Sequence, residues 1–285
     1  MKKLNIVTCL GTKDLITFIF RSNIYFNQNI NLYIISNNFS IKILKFVSLF
    51  IDIKSSNFQF INENKLLNEI GINDFNNYIL NVNIDLYQKK NWYKQQILKY
   101  AISYVILDNY IIIDSDTFPT NEDVLKSINY NTRFFNKPSV YGHIHMPFEE
   151  TYNRIFDSHF ISTYDYVCEV FPVKIEDLHD MLEQMEKRFN ARWYFVILSC
   201  TKNLIGFSEY QTLSKFQIEN NKPLNYNEYR TDRHFGIKQL SIFTPKNTKT
   251  DFISYESYDY PKNFSLVIYY IIYKPFYTII KLFNL

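Results

Sequence analysis

The chain has 285 residues, 47% of them hydrophobic, and a formal net charge of +3. That is enough apolar chain for a sizeable core, in one large domain or two small ones. So mild a charge, with no long lysine/arginine run, excludes a dedicated nucleic-acid binder.

The first half alternates in type. "LNIVTC" predicts a first strand, Leu4–Thr8, followed by a loop. "KDLITFIFRSNIYF" has helical spacing, "INLYIIS" is strand-like, "SIKILKFVSLFI" is helical and "NFQFIN" is a further strand candidate. This β-α-β-α-β order favours an α/β domain with a largely parallel sheet. "NWYKQQILKYAISYVI" predicts a helix over 91–106, with Asn91 as a cap and Ile97, Leu98, Ala101 and Val105 on its apolar side. "NYIIID" is a continuous apolar run, as in strands buried on both faces. "EDVLKSI" predicts a short helix capped by Thr120 or Asn121. "YGHIHMPF" reads as a strand with His143 and His145 on one side. "KIEDLHDMLEQMEKRF" predicts an amphipathic helix with a buried stripe of Ile175, Leu178, Met181, Leu182, Met185 and Phe189. "LSIFTP", residues 240–245, predicts a late strand.

Residues 261–285 differ from the domain expected over 1–260. They are apolar and aromatic, with Lys262, Lys274 and Lys281 and a break at Pro275. Neither piece approaches the roughly 20 residues needed to span a bilayer. A pair of interfacial helices on an inner-membrane surface is one reading; packing on protein is the other. Cys9, Cys168 and Cys200 form no C-x-x-C pattern, so neither a zinc knuckle nor a disulfide framework is indicated. The N-terminal stretch reaches polar residues too soon for a signal peptide. The expected location is cytoplasmic, with the tail able to rest on the inner face of the cytoplasmic membrane.

The apolar run "YIIID" ends in Asp114-Ser115-Asp116. Two carboxylates at i and i+2 repel unless one is protonated or a cation lies between them. Mg²⁺ or Mn²⁺ would resolve this through hard oxygen ligands and bridge to a diphosphate. A solvated turn is the other reading.

Three blocks in order carry a resemblance. "NWYKQQILKYAISYVILDNYIIIDSDTF", the earlier "IVTCLGTKDLITFIFRS" and the later "GFSEYQTLSKF" resemble a bacterial glycosyltransferase-like family with a GT-A-type fold. Its marks are a W-Y-x-Q-Q helix followed by D-x-D-T. The resemblance implies a Rossmann-like, mixed, mostly parallel sheet with flanking helices, here with a C-terminal extension. It implies a metal-dependent transferase that takes a sugar from a nucleotide-sugar donor. The acceptor would be a glycan or glycolipid such as lipopolysaccharide, lipooligosaccharide or capsule. Asp116 would chelate Mn²⁺ or Mg²⁺, and Asp114 would contact the metal through water or the ribose. Thr8 and Asp14 would lie near base and ribose. Gln95 and Gln96 would face donor hydroxyls and Lys99 a phosphate, with Ser115 between the carboxylates. Trp92 would either join them or anchor its helix. His234 would complete the metal shell. Arg233 and Lys238 would neutralise the diphosphate, unless they belong to a solvated loop.

Glu209 is the candidate base or acceptor ligand, on an exposed approach to a helix; the competing reading has Ser208 capping and Glu209 complementing the helix dipole. His143, His145 and Glu149 are candidates for the acceptor cleft. Two rivals remain: a haloacid-dehalogenase-type phosphatase, which lacks here the glycine after its second aspartate, and a non-catalytic membrane-associated binding protein. Oligomeric state is open.

Overall fold

A computed structural model describes residues 3–15, 18–19, 29–48, 58–135, 146–159, 164–235 and 250–256. The side chains of 122, 232–235 and 255–256 fall outside that description. The tail, "LSIFTP", His143, His145 and Lys238 lie outside the described residues.

Among the described residues ten strands form three sheets. The central one holds β1 (Leu4–Leu10), β2 (Ile30–Ser36), β3 (Phe58–Asn62), β4 (Tyr110–Ile113) and β7 (Val170–Val173), in the order β3-β2-β1-β4-β7. The pairings are parallel except β4 with β7, which is antiparallel. The expected α/β, mixed and mostly parallel sheet is therefore present. A second sheet orders β5 (Thr117–Pro119), β10 (Phe252–Glu256) and β9 (Thr231–Phe235). A ribbon pairs β6 (Thr132–Phe135) with β8 (Asn225–Glu228). The helices are α1 (Asn38–Ser48), α2 (Glu63–Glu69), α3 (Phe75–Val82), α4 (Lys90–Ala101), α5 (Glu122–Ser127), α6 (Met146–Phe156), α7 (Ile175–Phe189), α8 (Trp193–Cys200) and α9 (Glu209–Glu219). Among the described residues no helix is long and apolar enough to cross a membrane.

The apolar runs are continuous because the central sheet is covered on both faces. Along β1, Val7 and Cys9 enter one core cluster while Ile6 and Leu10 enter the other. Along β4, Tyr110 and Ile112 face the first cluster, Ile111 and Ile113 the second. Alternation of side chains across the pleat produces this split. Pro172 sits in β7, at the end of the sheet order, where proline is tolerated.

Several expectations need correction. Helix α4 starts at Lys90 with Lys89 at its N-cap position, so Asn91 is inside it rather than capping it. The helix gives way to a 3-10 turn at Ile102–Tyr104, which swings Val105 out to 44% exposure. In α7 the buried stripe narrows to Leu178, Met181, Leu182 and Met185; Phe189 faces solvent and Ile175 is half-buried. Met146–Phe148 begin α6 instead of ending a strand. Arg233 and His234 belong to a strand, β9, and Arg233 is therefore not in a loop. Asn121 does cap α5, accepting from the amides of Asp123 and Val124.

Arg133 of β6 is fully buried. Its guanidinium donates to Gln217 Oε1 (2.7 Å from Nε) and to the Pro172 carbonyl at 2.9 Å. Gln217 in turn donates to Asp177 at 2.8 Å. Burial pulls the Arg133 pKa down to about 10, against the pull of Asp177. The relay joins β6, β7, α7 and α9. Gln217→Leu removes the side-chain acceptor of the buried cation, leaving it only backbone carbonyls as acceptors among the described residues, and is expected to cost about 1.5–3 kcal/mol of stability, read from chemical denaturation. A loss below 1 kcal/mol would mean that the relay contributes little.

Candidate functional site

The chain runs outward from β1 to β2 to β3, then returns to the other side of β1 with β4. The order of strands therefore reverses between β1 and β4. In open α/β sheets ligands bind beyond the carboxyl ends of the strands at such a reversal. Both ends carry the residues singled out in the sequence. Thr8 lies in β1, and Asp14 in the 3-10 turn Thr12–Asp14 just after it. Asp114-Ser115-Asp116 follows β4 directly.

A turn holds the two carboxylates. The Thr117 amide donates to the Asp114 carbonyl at 2.9 Å, and the Asp114 amide to the Glu169 carbonyl at 2.9 Å. The turn reading of D-S-D is thus correct as to backbone, but the turn is not solvated. Ser115 and Thr117 are buried, and Asp114 and Asp116 half-buried. Ser115 Oγ donates to Asp14 Oδ2 at 3.1 Å, which stitches the ends of β1 and β4 together. Thr8 is 3% exposed, and its hydroxyl has no partner among the described residues. Leaving a buried hydroxyl unmade costs free energy, and such groups concentrate where a ligand completes them.

The sequence left open what lies against the carboxylates; for Asp114 it is Lys99. The Lys99 ammonium is 2% exposed and donates to Asp114 Oδ1 at 2.7 Å, Glu209 Oε1 at 2.6 Å and the Tyr210 hydroxyl at 2.8 Å. Tyr210 donates to the same Asp114 Oδ1 at 2.8 Å. Burial alone would lower the Lys99 pKa; Asp114 and Glu209 outweigh it and hold it above the ordinary value. Burial pushes Glu209 up despite the nearby ammonium. Among the described residues both bonds to the Asp114 side chain converge on Oδ1, so Oδ2 is the oxygen the turn can offer outward. The Asp114 side chain is 27% exposed.

This arrangement corrects two expectations. Lys99 does not point at a phosphate position; its donors are spent on two carboxylates and a phenol. Glu209 is not an exposed carboxylate at a cleft; it is 2% exposed and neutralises Lys99. Ser208 caps α9 through the Gln211 amide, as the competing reading had it. Gln96 is also turned inward, where its Oε1 accepts from the Glu209 amide at 3.3 Å. Gln95 donates to the Cys9 carbonyl at 3.3 Å, at the end of β1. Trp92 is half-buried and packs edge-on to Tyr93 and face-on to Phe148, with ring centroids 4.7 and 6.5 Å apart. That contact joins α4 to α6. Glu149 accepts from Gln211 Nε2 at 2.5 Å and from the fully buried Lys215.

Tyr210 carries a second bond to Asp114 that the sequence reading missed. The F-S-E-Y block contained it, but only Glu209 was singled out. The buried tyrosine beside a buried acid was the available signal.

Among the described residues no group of three histidines, cysteines or acids gathers as a metal cluster. Asp114 and Asp116 offer two hard oxygen ligands of the kind Mg²⁺ and Mn²⁺ take. The second sheet brings a third candidate into register. Ser254 pairs with Thr117 on one side and with Arg233 on the other, and Tyr255 pairs with His234. Continuing the β5–β10 register by one residue sets Tyr255 opposite Asp116. His234 is then two strand spacings away, ~10 Å along the hydrogen-bonding direction.

The model of a family of unknown function (DUF6492) matches residues 16–265. The chain belongs to that family. Among curated proteins no sequence matches it. Solved structures similar to the chain include the galactosyltransferase LgtC in complex with donor and acceptor sugar analogues, 9% identical with a TM-score of 0.46, covering 88% of this chain and 87% of that one. Mouse xyloside xylosyltransferase 1 in its apo form is 10% identical with a TM-score of 0.49, covering 89% and 97%. The glycosyltransferase GlyE of Streptococcus pneumoniae TIGR4, apo form, is 12% identical with a TM-score of 0.46, covering 93% and 57%.

Two outcomes are expected. Lys99→Met leaves Glu209 and Asp114 without their cation and should cost about 3–5 kcal/mol in chemical denaturation. Adding Glu209→Leu should restore about 1–3 kcal/mol of that loss through their coupling; strictly additive losses would show that the pair is not coupled. The Cys9 thiol, its pKa pushed up to about 12 by burial, should resist alkylation in the folded protein at mildly alkaline pH. Labelling of Cys9 as fast as in the denatured chain, followed by peptide mass spectrometry, would contradict the buried placement of β1.

Proposed function

We propose that this member of the family is a metal-dependent glycosyltransferase with a nucleotide-sugar donor, built on a GT-A-type fold. One observation carries the reading: D-S-D stands at the strand-order reversal, with Ser115 bonded to Asp14 across the gap between β1 and β4. Asp114 and Asp116 follow the carboxyl end of β4 on one turn, both half-buried rather than sealed in the core. Their carboxylate oxygens are hard ligands of the kind Mg²⁺ and Mn²⁺ take, and such an ion can in turn meet a diphosphate.

Asp116 and Asp114 Oδ2 would hold Mn²⁺ or Mg²⁺, with His234 as the third ligand. When bound, the ion would neutralise the charge growing on the departing nucleoside diphosphate. The protein's own residues orient and exclude. Lys99 and Tyr210 fix the Asp114 carboxylate so that it does not reorganise when the donor binds, the kind of preorganisation that catalysis exploits. Asp14, itself held by Ser115, accepts from a ribose hydroxyl, and the Thr8 hydroxyl faces the base. Arg233 and Lys238 supply positive charge to the diphosphate. We assign Glu209 to positioning Lys99, so any base for an acceptor hydroxyl comes from elsewhere, and a retaining reaction needs none. Trp92 and Gln95 would line the donor, and Glu149, His143 and His145 would border the acceptor. The acceptor would be a surface glycan or glycolipid made at the inner face of the membrane.

A thermal-shift screen of nucleoside diphosphates with Mn²⁺ tests the reading. A ligand at about 100-fold over its Kd stabilises the folded state by about 2.7 kcal/mol. Asp116→Asn should abolish the metal-dependent part while leaving far-UV circular dichroism unchanged. If no nucleoside diphosphate binds with Mn²⁺ or Mg²⁺, the transferase reading falls.

A further inference from the structure

Helix α1 presents two faces. Ser40, Ile41 and Leu44 are buried against the domain. On the outer side Phe39 and Phe46, seven residues apart and so aligned along the helix, are each 61% exposed. Lys42 lies between them and Lys45 on their flank, both exposed. From Asn37 to Ser48 there is no carboxylate. Single exposed apolar residues are common on soluble proteins. Two phenylalanines on one helical line, interleaved with lysines and no acid, are a different pattern. It is the composition of a helix that lies in a bilayer interface, with aromatics at the acyl boundary and lysines at anionic headgroups.

We propose that the outer face of α1 docks on an anionic phospholipid bilayer. Charge selects that occupant: the face is uniformly basic and matches a surface of negative headgroups. The position of the helix gives the contact a consequence. Asn37 donates to Thr12 Oγ1 at 3.0 Å, and the Ser40 and Thr12 hydroxyls lie 3.4 Å apart. Thr12 and Asp14 share the turn after β1, and Asp14 is bonded to Ser115. A bilayer against α1 would therefore lie beside the mouth of the central sheet. The inference stands apart from the proposed reaction, because it needs neither donor nor metal.

The test uses the full chain and vesicles of phosphatidylcholine, with or without phosphatidylglycerol. Phe39→Ser/Phe46→Ser should weaken partitioning into the phosphatidylglycerol vesicles about tenfold. Lys42→Glu/Lys45→Glu should remove the preference for them over phosphatidylcholine alone. Phe39, Phe46, Lys42 and Lys45 are all exposed, and circular dichroism of each variant checks that the fold persists. Phe39→Trp supplies a local reading that the apolar C-terminal residues cannot mimic. Its added emission should shift to shorter wavelength with anionic vesicles. The proposal is overturned if the wild type does not bind vesicles. It is also overturned if the serine variant binds equally well, or if the tryptophan signal does not move while the protein does bind. A change of sedimentation coefficient in the serine variant without vesicles would assign the face to a second copy instead.

Discussion

One buried ammonium organises this molecule. Lys99 sits in the last turn of α4 with almost no access to water, and its charge must be met inside the protein. Moving an ion out of water costs several kcal/mol, which only well-placed partners offset. The partners here come from two separated parts of the chain: Asp114 after β4, and Glu209 and Tyr210 at the start of α9. Tyr100 adds a bond to the Glu209 carbonyl at 2.5 Å, and Tyr110 one to the Lys99 carbonyl at 3.0 Å. The helix before the central strand, the strand itself and the helix far downstream are thereby fixed to one point.

That constraint divides the two aspartates of D-S-D. Asp114 is tied inward through one oxygen, while Asp116 stands two residues further along a turn that leads straight into β5. The turn itself is clamped from three sides: by Glu169, by Asp14 through Ser115, and by Ser254, whose hydroxyl lies 2.8 Å from that of Thr117. A rigid turn with a polar rim is a better ligand cradle than a mobile loop, because its geometry is set before anything binds.

Much of this was legible in the sequence, and the reasons differ by element. The strands β1, β2 and β4 announced themselves as short apolar runs because both faces of the sheet are covered there, while β3, at the sheet edge, is only half-buried. Ser208 and Asn121 betrayed their helices through the chemistry of caps. Helix α8 gave no such sign: "WYFVILSC" is apolar nearly all round, since Trp193, Tyr194, Val196, Ile197 and Leu198 are buried, so no period marks it. The ends of α4 were misjudged because its C-terminal turn tightens and changes which residues face inward. The largest errors were in charge. Lys99 and Glu209 carry polar labels, and a linear reading placed both toward solvent or ligand. Nothing in spacing says that residues 110 positions apart will neutralise each other. Register between β5 and β10 was equally hidden, because it joins segments more than a hundred residues apart.

The same long reach has a consequence for how the protein comes to exist. During synthesis the N-terminal strands and α4 emerge well before Glu209 and Tyr210, and Ser254 later still. Until α9 is available, the Lys99 ammonium and the Asp114 carboxylate have lost water without their full complement of partners, or have stayed hydrated and left the core open. The candidate site is thus among the last parts of the molecule to be completed. A nascent or truncated chain could hold most of the central sheet and yet present no finished site.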